Sequence, residues 1–431
     1  MTELYRTNAL TNVDPRLLKL KEYLINSAAQ EMQQLSADHR QDRQAVRALV
    51  VRGVENSRAE LAAEVRDQIV DSAVADLIGY GPLEPLLRDG EISEIMVNGA
   101  SRVFIERNGE LLETDVIFQD DAHVMRIIDR IVNPLGRRVD ADNPTADARL
   151  PDGSRVNVVI PPVAVDGPQI TIRKFLQTKM EMADLVKMEA LTPYMSKFLE
   201  ACVVARLNVL VTGNTSSGKT TILNALSAYI PDKERIVTIE DAVELKLRQR
   251  HVVRLETKLA NTDGTGAVSV RDLVRNALRM RPDRIVVGEV RGGEAMDMLQ
   301  AMNTGHTGSI TTLHANSPRD ATSRLETMSM MAGLDMPLLA IRKQIASAIN
   351  VIVHLARLAD GSRKMTHITE LSGMEGEVIT LTDIFKFEQT GVTPQGKIAG
   401  LLRPTGMRPM FSPRLESAGF KLGGEYFGIG M

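Results

Sequence analysis

The apolar residues in the first part of the chain recur at helical spacing. Leu17 and Leu24 belong to one stripe, residues from Ala45 to Val54 form another, and charged side chains fill the positions between. Residues three or four positions apart share one face of an α-helix. The pattern predicts helices from about residue 15 to residue 78. We expect a small helical bundle over residues 1–78, or a docking module for a partner.

The next section has the pattern of short β-strands. The Gly79-Tyr-Gly-Pro82 sequence interrupts regular structure and marks a domain boundary. Apolar runs such as Glu94–Asn98 follow, separated by Asn-Gly and Asp-Gly pairs of which Asn108-Gly109 is one, and such pairs are typical of hairpin turns. A helix is predicted from Asp121 to Val132. We therefore expect an α+β domain over residues 79–183.

The third section, residues 184–431, alternates apolar strands with amphipathic helices. Such alternation is typical of a parallel sheet covered by helices on both faces. After Asn350 two strand runs, Val351–Ala356 and Lys364–Leu371, follow each other through Asp360-Gly361, which predicts a terminal hairpin. The fold class that we predict is α/β, with an α+β domain and a helical extension preceding the core.

One stretch of this third section indicates nucleotide binding. An apolar strand from Val209 runs into Gly213-x-x-x-x-Gly218-Lys219-Thr220, and a helical sequence follows. In this motif the backbone N–H groups and the helix N-terminus surround phosphates, Lys219 neutralises the β and γ oxygens, and the Thr220 hydroxyl can ligate Mg²⁺. The candidate nucleotide-binding residues are Gly213, Asn214, Thr215, Ser216, Ser217, Gly218, Lys219, Thr220 and Thr221.

Two later strands end in acidic residues. Glu240 and Asp241 end one apolar run, and Glu289 ends another. The carboxyl ends of parallel strands face the ligand crevice, where a carboxylate can hold Mg²⁺ through water or activate an attacking water. Gly288 stands where a P-loop enzyme usually has an aspartate. Glu289 is our first candidate for activating water, and Glu240 is the second, with the alternative that Glu240 and Asp241 are a solvated charge pair.

Two histidines lie in the segment from Thr304 to Asn316. His306 and His314 are separated by a predicted strand, with no cysteine nearby, and this spacing fits no common zinc site. We do not expect a metal centre there. A glycine-flanked histidine is usually structural, but His306 in Gly-His-Thr-Gly could contact the γ-phosphate and report hydrolysis.

Composition narrows the function further. The 431 residues carry a formal net charge of −3, only 3% are aromatic, and there is one cysteine. This balance argues against a globally basic nucleic-acid binder and against stacking platforms for single strands. Cys202 lies in an apolar run and is expected to be a small buried residue without redox function. No apolar run approaches a membrane span, so we expect a cytoplasmic protein.

Two basic groups remain to be explained. Either could follow a phosphate backbone. We favour a solvated helix face, or pairing with acidic residues across a subunit interface. The first group is Arg271, Arg275 and Arg279, and the second is Lys246, Arg248, Arg250 and Arg254.

The order of the motifs resembles the Walker A, aspartate, Walker B and histidine boxes of the type II/type IV secretion ATPase superfamily. The segments are Gly213–Thr220, Thr238–Glu244, Val286–Glu289 and Thr304–Gly308. Three further segments resemble the CpaF/TadA branch, which drives tight-adherence pili: Gly79–Leu87, Glu94–Gly99 and Arg149–Arg155. The resemblance runs from about Gly79 to the C-terminus, and Gly288 is the usual pattern of the superfamily.

The resemblance implies a homo-hexameric ring of subunits with a RecA-like ATPase domain and ATP with Mg²⁺ as cofactors. It also implies that arginines of the preceding domain close over the γ-phosphate. Matching motif for motif, these are Arg155 and Arg173, with Arg149 and the pair Arg137-Arg138 as weaker candidates. Surface arginines flanking strands would be the simpler interpretation without the family.

The function that follows is an ATPase at the cytoplasmic face of the inner membrane that assembles pili through a polytopic membrane partner, with retraction left open. The alternatives are a type IV secretion or conjugation ATPase, a DNA-translocating RecA-like motor, and a nucleotide-dependent scaffold with negligible turnover. We expect no nucleic-acid partner, given the acidic balance and the few aromatic residues.

Overall fold

In the computed structural model, which describes residues 5, 15–175, 180–258, 260 and 265–428, the chain divides into two units. These units are Met1–Gln177 and Thr178–Met431. The predicted helical section and the predicted α+β section, except for its last residues after Gln177, belong to the first unit, and each has its own apolar core. The division into three domains stays a prediction.

The first unit begins with helices, as the apolar spacing predicts. They are α1 (Pro15–Met32), α2 (Ala37–Gln41), α3 (Arg43–Ser57) and α4 (Ala63–Ile78). Asp42 caps α3, its side chain accepting a hydrogen bond from the Gln44 N–H. Leu24, Val50 and Ile69 come from three different helices and are fully buried in one cluster. Burial of these shared faces holds the helices together.

An antiparallel sheet follows in the same unit, in the strand order β3-β2-β1-β6-β5-β4. Helix α6 (Asp121–Val132) has the bounds that were predicted. The Asp120 side chain caps it by accepting a hydrogen bond from the His123 N–H. The turn between β2 and β3 has Asn108 and Gly109 at positive φ, as a tight hairpin requires. The elements are α5 (Glu84–Arg88), β1 (Ile92–Asn98), β2 (Arg102–Arg107), β3 (Glu110–Glu113), α6 (Asp121–Val132), β4 (Thr145–Arg149), β5 (Arg155–Val159) and β6 (Gln169–Arg173).

The second unit is built on one mixed sheet in the order β15-β14-β13-β12-β7-β11-β10-β8-β9. Its strands are β7 (Val209–Gly213), β8 (Ile236–Glu240), β9 (Val252–Glu256), β10 (Arg284–Val290), β11 (Ile310–His314), β12 (Val351–Arg357), β13 (Arg363–Glu375), β14 (Val378–Val392) and β15 (Ile398–Pro404). Its helices are α7 (Met182–Lys187), α8 (Pro193–Val204), α9 (Lys219–Ser227), α10 (Val270–Ala277), α11 (Glu294–Asn303), α12 (Pro318–Met330), α13 (Leu338–Ala348), α14 (Ser412–Ser417) and α15 (Gly424–Phe427).

The strands from β12 to β9 in this order are parallel, and apolar cores cover both faces. Strand β7 is buried throughout, with Val209 and Val211 in one core and Leu210 in the other. Alternate residues of a strand face opposite sides, so a fully apolar strand indicates burial on both. The α/β class predicted from the sequence is confirmed.

The predicted terminal hairpin is present but forms only part of a larger meander. Strands β12 and β13 pair antiparallel, as expected, and β14 and β15 then extend the sheet. Cys202 is fully buried in the core, where burial raises the pKa of its thiol. Across the described ranges, no helix is long and apolar enough to cross a membrane.

Candidate nucleotide-binding site

The phosphate loop joins β7 to α9 and depends on two glycines. A Cβ added to Gly213 would lie 2.4 Å from the Leu355 carbonyl oxygen of β12, so this position requires glycine. Gly218 has φ 96° and immediately precedes α9. Ser216 also has a left-handed φ of 59°, although it is not a glycine. The loop therefore ends at the N-terminus of a helix, which favours anions.

Parallel register brings the predicted acidic residues to the same edge of the sheet as this loop. Gly213 lies opposite His314 of β11, and Val290 of β10 lies opposite Leu313. Glu240 ends β8, which is parallel to β10. Because the carboxyl ends of these strands meet at one edge, Glu240 and Glu289 both lie at the ligand crevice.

Glu240 is buried, with 4% of its surface exposed, and is fixed by the backbone. Its Oε2 accepts hydrogen bonds from the N–H groups of Glu244 at 2.8 Å and Leu245 at 3.0 Å. A Cβ on Gly288 would lie only 2.9 Å from the Glu240 Cγ. The Glu240 side chain therefore packs against Gly288, where other P-loop enzymes carry an aspartate.

Glu289 is held between two basic side chains. Its Oε1 lies 2.7 Å from the His314 Nε2, and its Oε2 accepts from the Arg291 guanidinium at 2.5 Å. Arg291 also lies 3.3 Å from the Asp241 carboxylate. The hydrogen bond to Glu289 raises the pKa of Arg291. This arrangement fixes the carboxylate at the crevice without burying it completely.

The Lys219 ammonium lies beside His314, so that Lys219, His314 and Glu289 form a row. It donates to the Asn214 carbonyl at 3.0 Å and lies 3.3 Å from the His314 Nδ1. An ammonium group can only donate, so Nδ1 accepts, and the neutral imidazole carries its proton on Nε2, the nitrogen that lies 2.7 Å from the Glu289 Oε1. Burial lowers the pKa of His314, the positive charges of Lys219 and Arg291 lower it further, and the negative charge of Glu289 opposes them. His314 is thus a neutral bridge between Lys219 and Glu289.

Sequence reasoning missed this role of His314 and selected His306 instead. His306 precedes β11, in a loop whose Gly308 N–H donates to the Asn208 side chain at 2.7 Å, and Asn208 itself precedes β7. His306 therefore lies at the amino ends of the parallel strands, whereas the phosphate loop lies at their carboxyl ends. Within this unit, His306 is not close to the predicted site. His314 could have been found from its position in the sequence, because it ends a strand that is parallel to β7.

The predicted arginines lie in the first unit and share one row of the sheet. Arg155 of β5 is directly opposite Arg173 of β6, and Arg149 of β4 is directly opposite Arg155. Residues opposite each other on neighbouring strands point to the same face. The weaker candidates are held locally, with Arg137 donating to the Asp147 carbonyl and Arg138 lying 3.8 Å from Asp140.

Arg248, Arg271 and Arg275 of the two basic groups contact acidic side chains of the same unit. Arg271 and Arg275 of α10 each donate to the Asp297 carboxylate at 2.8 Å, and Arg248 pairs with Glu181. Sequence analysis considered such pairing only between subunits. It also missed the fully buried Arg284, which donates to Glu234 at 2.6 Å.

The oxygen donors at the crevice suit a magnesium nucleotide. Mg²⁺ prefers hard oxygen ligands and is usually bound by one or two protein groups together with phosphate oxygens and water. Thr220 lies in the first turn of α9 and supplies a hydroxyl, and Glu240 supplies a carboxylate. The two residues predicted to hold the metal are thus at the same edge as Lys219.

Residues 76–395 match the model of the family described as Type II/IV secretion system protein. The chain belongs to this family. The protein Rv3659c of Mycobacterium tuberculosis is 39% identical over 313 residues, covering 71% of this chain and 88% of its own length.

Two further proteins are similar to this member of the type II/IV secretion family. The conjugal transfer protein TrbB of Rhizobium radiobacter is 33% identical over 296 residues, covering 67% of this chain and 86% of TrbB. The solved structure of the VirB11 ATPase from the Brucella suis type IV secretion system has 29% identity and a TM-score of 0.37. It covers 67% of this chain and 95% of that one.

Proposed function

We propose that this secretion family protein is a Mg²⁺-dependent ATPase that drives assembly of tight-adherence pili as a homo-hexamer. The observation that carries the proposal is the row from Lys219 through His314 to Glu289 beside the phosphate loop. It places a phosphate-binding cation and a carboxylate suited to activating water at opposite ends of one neutral imidazole.

Each residue of the row has a distinct chemical task. Lys219 and the N-terminus of α9 bind the phosphates, and Thr220 with Glu240 would hold Mg²⁺, which when bound neutralises phosphate charge. Glu289 orients the attacking water and accepts its proton. His314, whose Nε2 lies 2.7 Å from the Glu289 Oε1, would keep that carboxylate aimed at the crevice. Nucleotide would replace the Asn214 carbonyl as the partner of Lys219.

Arg155 and Arg173 complete the site in this proposal. Their guanidinium groups, side by side on β5 and β6, would stabilise the charge that develops on the transferred phosphoryl group. Closure of the first unit over a nucleotide would then be the movement that the motor transmits. The motor works at the cytoplasmic face of the inner membrane through a polytopic pilus platform protein.

The assignment to pili rests on the CpaF/TadA-like segments Gly79–Leu87, Glu94–Gly99 and Arg149–Arg155. A second candidate is a conjugation or type IV secretion ATPase, since TrbB is named a conjugal transfer protein. Affinity capture with the intact chain from cross-linked cells separates them. Recovery of a pilus platform protein and pilin supports the first, and recovery of secretion-channel components supports the second.

The chemistry is tested by Glu289→Gln, which keeps the side-chain size but removes the base. We expect ATP turnover to fall by about 10²–10⁴-fold while ATP binding persists. Glu375→Gln, at an exposed glutamate ending β13, is the matched control and should leave turnover unchanged. Full turnover by Glu289→Gln would overturn the assigned role.

A rival function as a DNA translocase has a separate test. A translocase would be stimulated strongly by DNA, with a steep dependence on salt concentration. Because Arg271 and Arg275 share the Asp297 carboxylate, one of their two positive charges is already compensated within the unit. We expect no stimulation by double-stranded or single-stranded DNA.

A further inference from the structure

An arginine far from the phosphate loop in sequence makes direct contact with it. Arg363, the first residue of β13, donates from its Nε to the Ser216 carbonyl oxygen at 2.9 Å. Its Cδ lies 3.8 Å from the position that a Cβ on Gly218 would occupy. The side chain therefore lies along the C-terminal half of the loop, although its guanidinium remains exposed.

The contact falls on the strained residue of the loop. Ser216 has a φ of 59°, a conformation that side chains other than glycine adopt rarely and that persists only when surrounding groups hold it. The hydrogen bond from Arg363 fixes the carbonyl of this residue. The conformation of Ser216 sets the direction of the N–H groups that follow it, and these N–H groups face bound phosphate in a P-loop.

The turn that carries Arg363 is itself fixed. Asp360 accepts hydrogen bonds from the Ser362 N–H at 3.0 Å and from its hydroxyl at 2.6 Å. Its second oxygen accepts from the Ile398 N–H of β15 at 2.7 Å. These hydrogen bonds lower the pKa of Asp360 to about 2, so the carboxylate is ionised at any working pH. Arg363 is thus presented on a turn tied to the outermost strand of the sheet.

The same hairpin also touches the start of the loop. The Leu355 carbonyl of β12 lies against Gly213, close enough to exclude any side chain there. Contacts from β12 at Gly213 and from β13 at Ser216 hold the loop at two points. We propose that Arg363 is a positioning residue that holds the phosphate loop ready to bind nucleotide, with Asp360 fixing the turn that presents it.

This inference rests on the proposed ATPase function and is tested in the full chain. Arg363→Met keeps the aliphatic stem of the side chain but removes its hydrogen-bond donors. Arg363→Lys retains the positive charge and one donor nitrogen. Arg403→Met, at an exposed arginine of β15, is the matched control. The measurements are the Kd of a fluorescent ADP analogue, KM and kcat for ATP, and the melting temperature without nucleotide.

We expect Arg363→Met to weaken ADP binding and raise KM by about tenfold, the effect of losing one charge-assisted hydrogen bond, while kcat changes less than twofold. Arg363→Lys should recover part of the affinity. Asp360→Asn, which cannot accept from Ile398 through its amide nitrogen, should change Kd and KM in the same direction but less. The control should match the wild type.

An unchanged ADP Kd in Arg363→Met overturns the inference, whether or not the melting temperature falls, because a fall in stability alone indicates a purely structural role. A decrease in kcat without a change in KM also overturns it. If the wild-type protein itself binds ADP but does not hydrolyse ATP, the proposed function fails while the positioning role is still decided by Kd.

Discussion

At the scale of single residues, the contact between Glu240 and Gly288 gives a physical reason for a glycine at position 288. The buried Glu240 side chain, held by two backbone N–H groups, fills the space beside Gly288. A carboxylate from β8 thus stands near the position that an aspartate at 288 would occupy. In the proposed site, this carboxylate on the neighbouring parallel strand would take over the metal-binding role of that aspartate.

Gly288→Ala tests this explanation. A methyl group at 288 would lie 2.9 Å from the Glu240 Cγ, closer than Cβ contacts normally come, so Glu240 must move. We expect turnover to fall by about 10²-fold with little loss of stability, because moving one positioned catalytic group by about 1 Å has effects of this order. Gly90→Ala is the control, since a Cβ there meets no atom within 4 Å. Equal turnover in both variants would contradict the account.

A second residue-scale prediction concerns His354 of β12. It is buried beneath the phosphate loop, beside the Thr212 hydroxyl at 2.9 Å, and burial lowers its pKa from 6.5 to about 4. The unfolded chain therefore binds a proton that the folded chain does not between these pH values. Stability contributed by neutral His354 is complete above about pH 6.5 and decreases on acidification to about pH 4.

The shift corresponds to about 3 kcal/mol. Denaturant unfolding at several pH values should show the wild type losing this much more stability than His354→Gln between pH 6.5 and pH 4. The comparison between the two proteins removes the contribution of other titrating groups. Parallel stability curves for wild type and variant over this range would refute the assigned pKa.

At the scale of elements, the sequence predicted the helices and strands that have a clear apolar pattern. Helix α6 and the fully buried strand β7 are examples. Strand β14 was missed because only a few of its residues, among them Ile384 and Phe385, are buried, so its apolar pattern is weak. The P-loop is a local motif and could be read directly. Contacts set by strand register or by distant segments, such as those of His314 and Arg363, have no local signal.

The arginine row on β5 and β6 carries the prediction at this scale. Arg155 and Arg173 are directly opposite on neighbouring strands, so in the proposed site both would act on the same phosphoryl group. We expect Arg155→Gln and Arg173→Gln each to reduce kcat by on the order of 10³-fold while ADP binding is retained. Arg102→Gln, an exposed arginine on β2 of the same sheet, is the control. Wild-type kcat in both test variants would show that these two arginines have only a structural role in the sheet.

At the scale of the whole molecule, the family match begins at residue 76 and extends through both units. The helices α1 to α3 lie outside this match, so their proposed role in docking has no support from the family. The rest of the account requires that residues of the first unit complete a site in the second. In the proposed ring, that completion depends on assembly.

The most direct test is ATP turnover as a function of protein concentration, at fixed Mg²⁺ and saturating ATP, with the oligomeric state measured in the same samples. The account predicts that specific activity rises with the hexamer fraction and then levels. Full specific activity in samples that contain only monomer, or no activity in samples that contain hexamer, would contradict it.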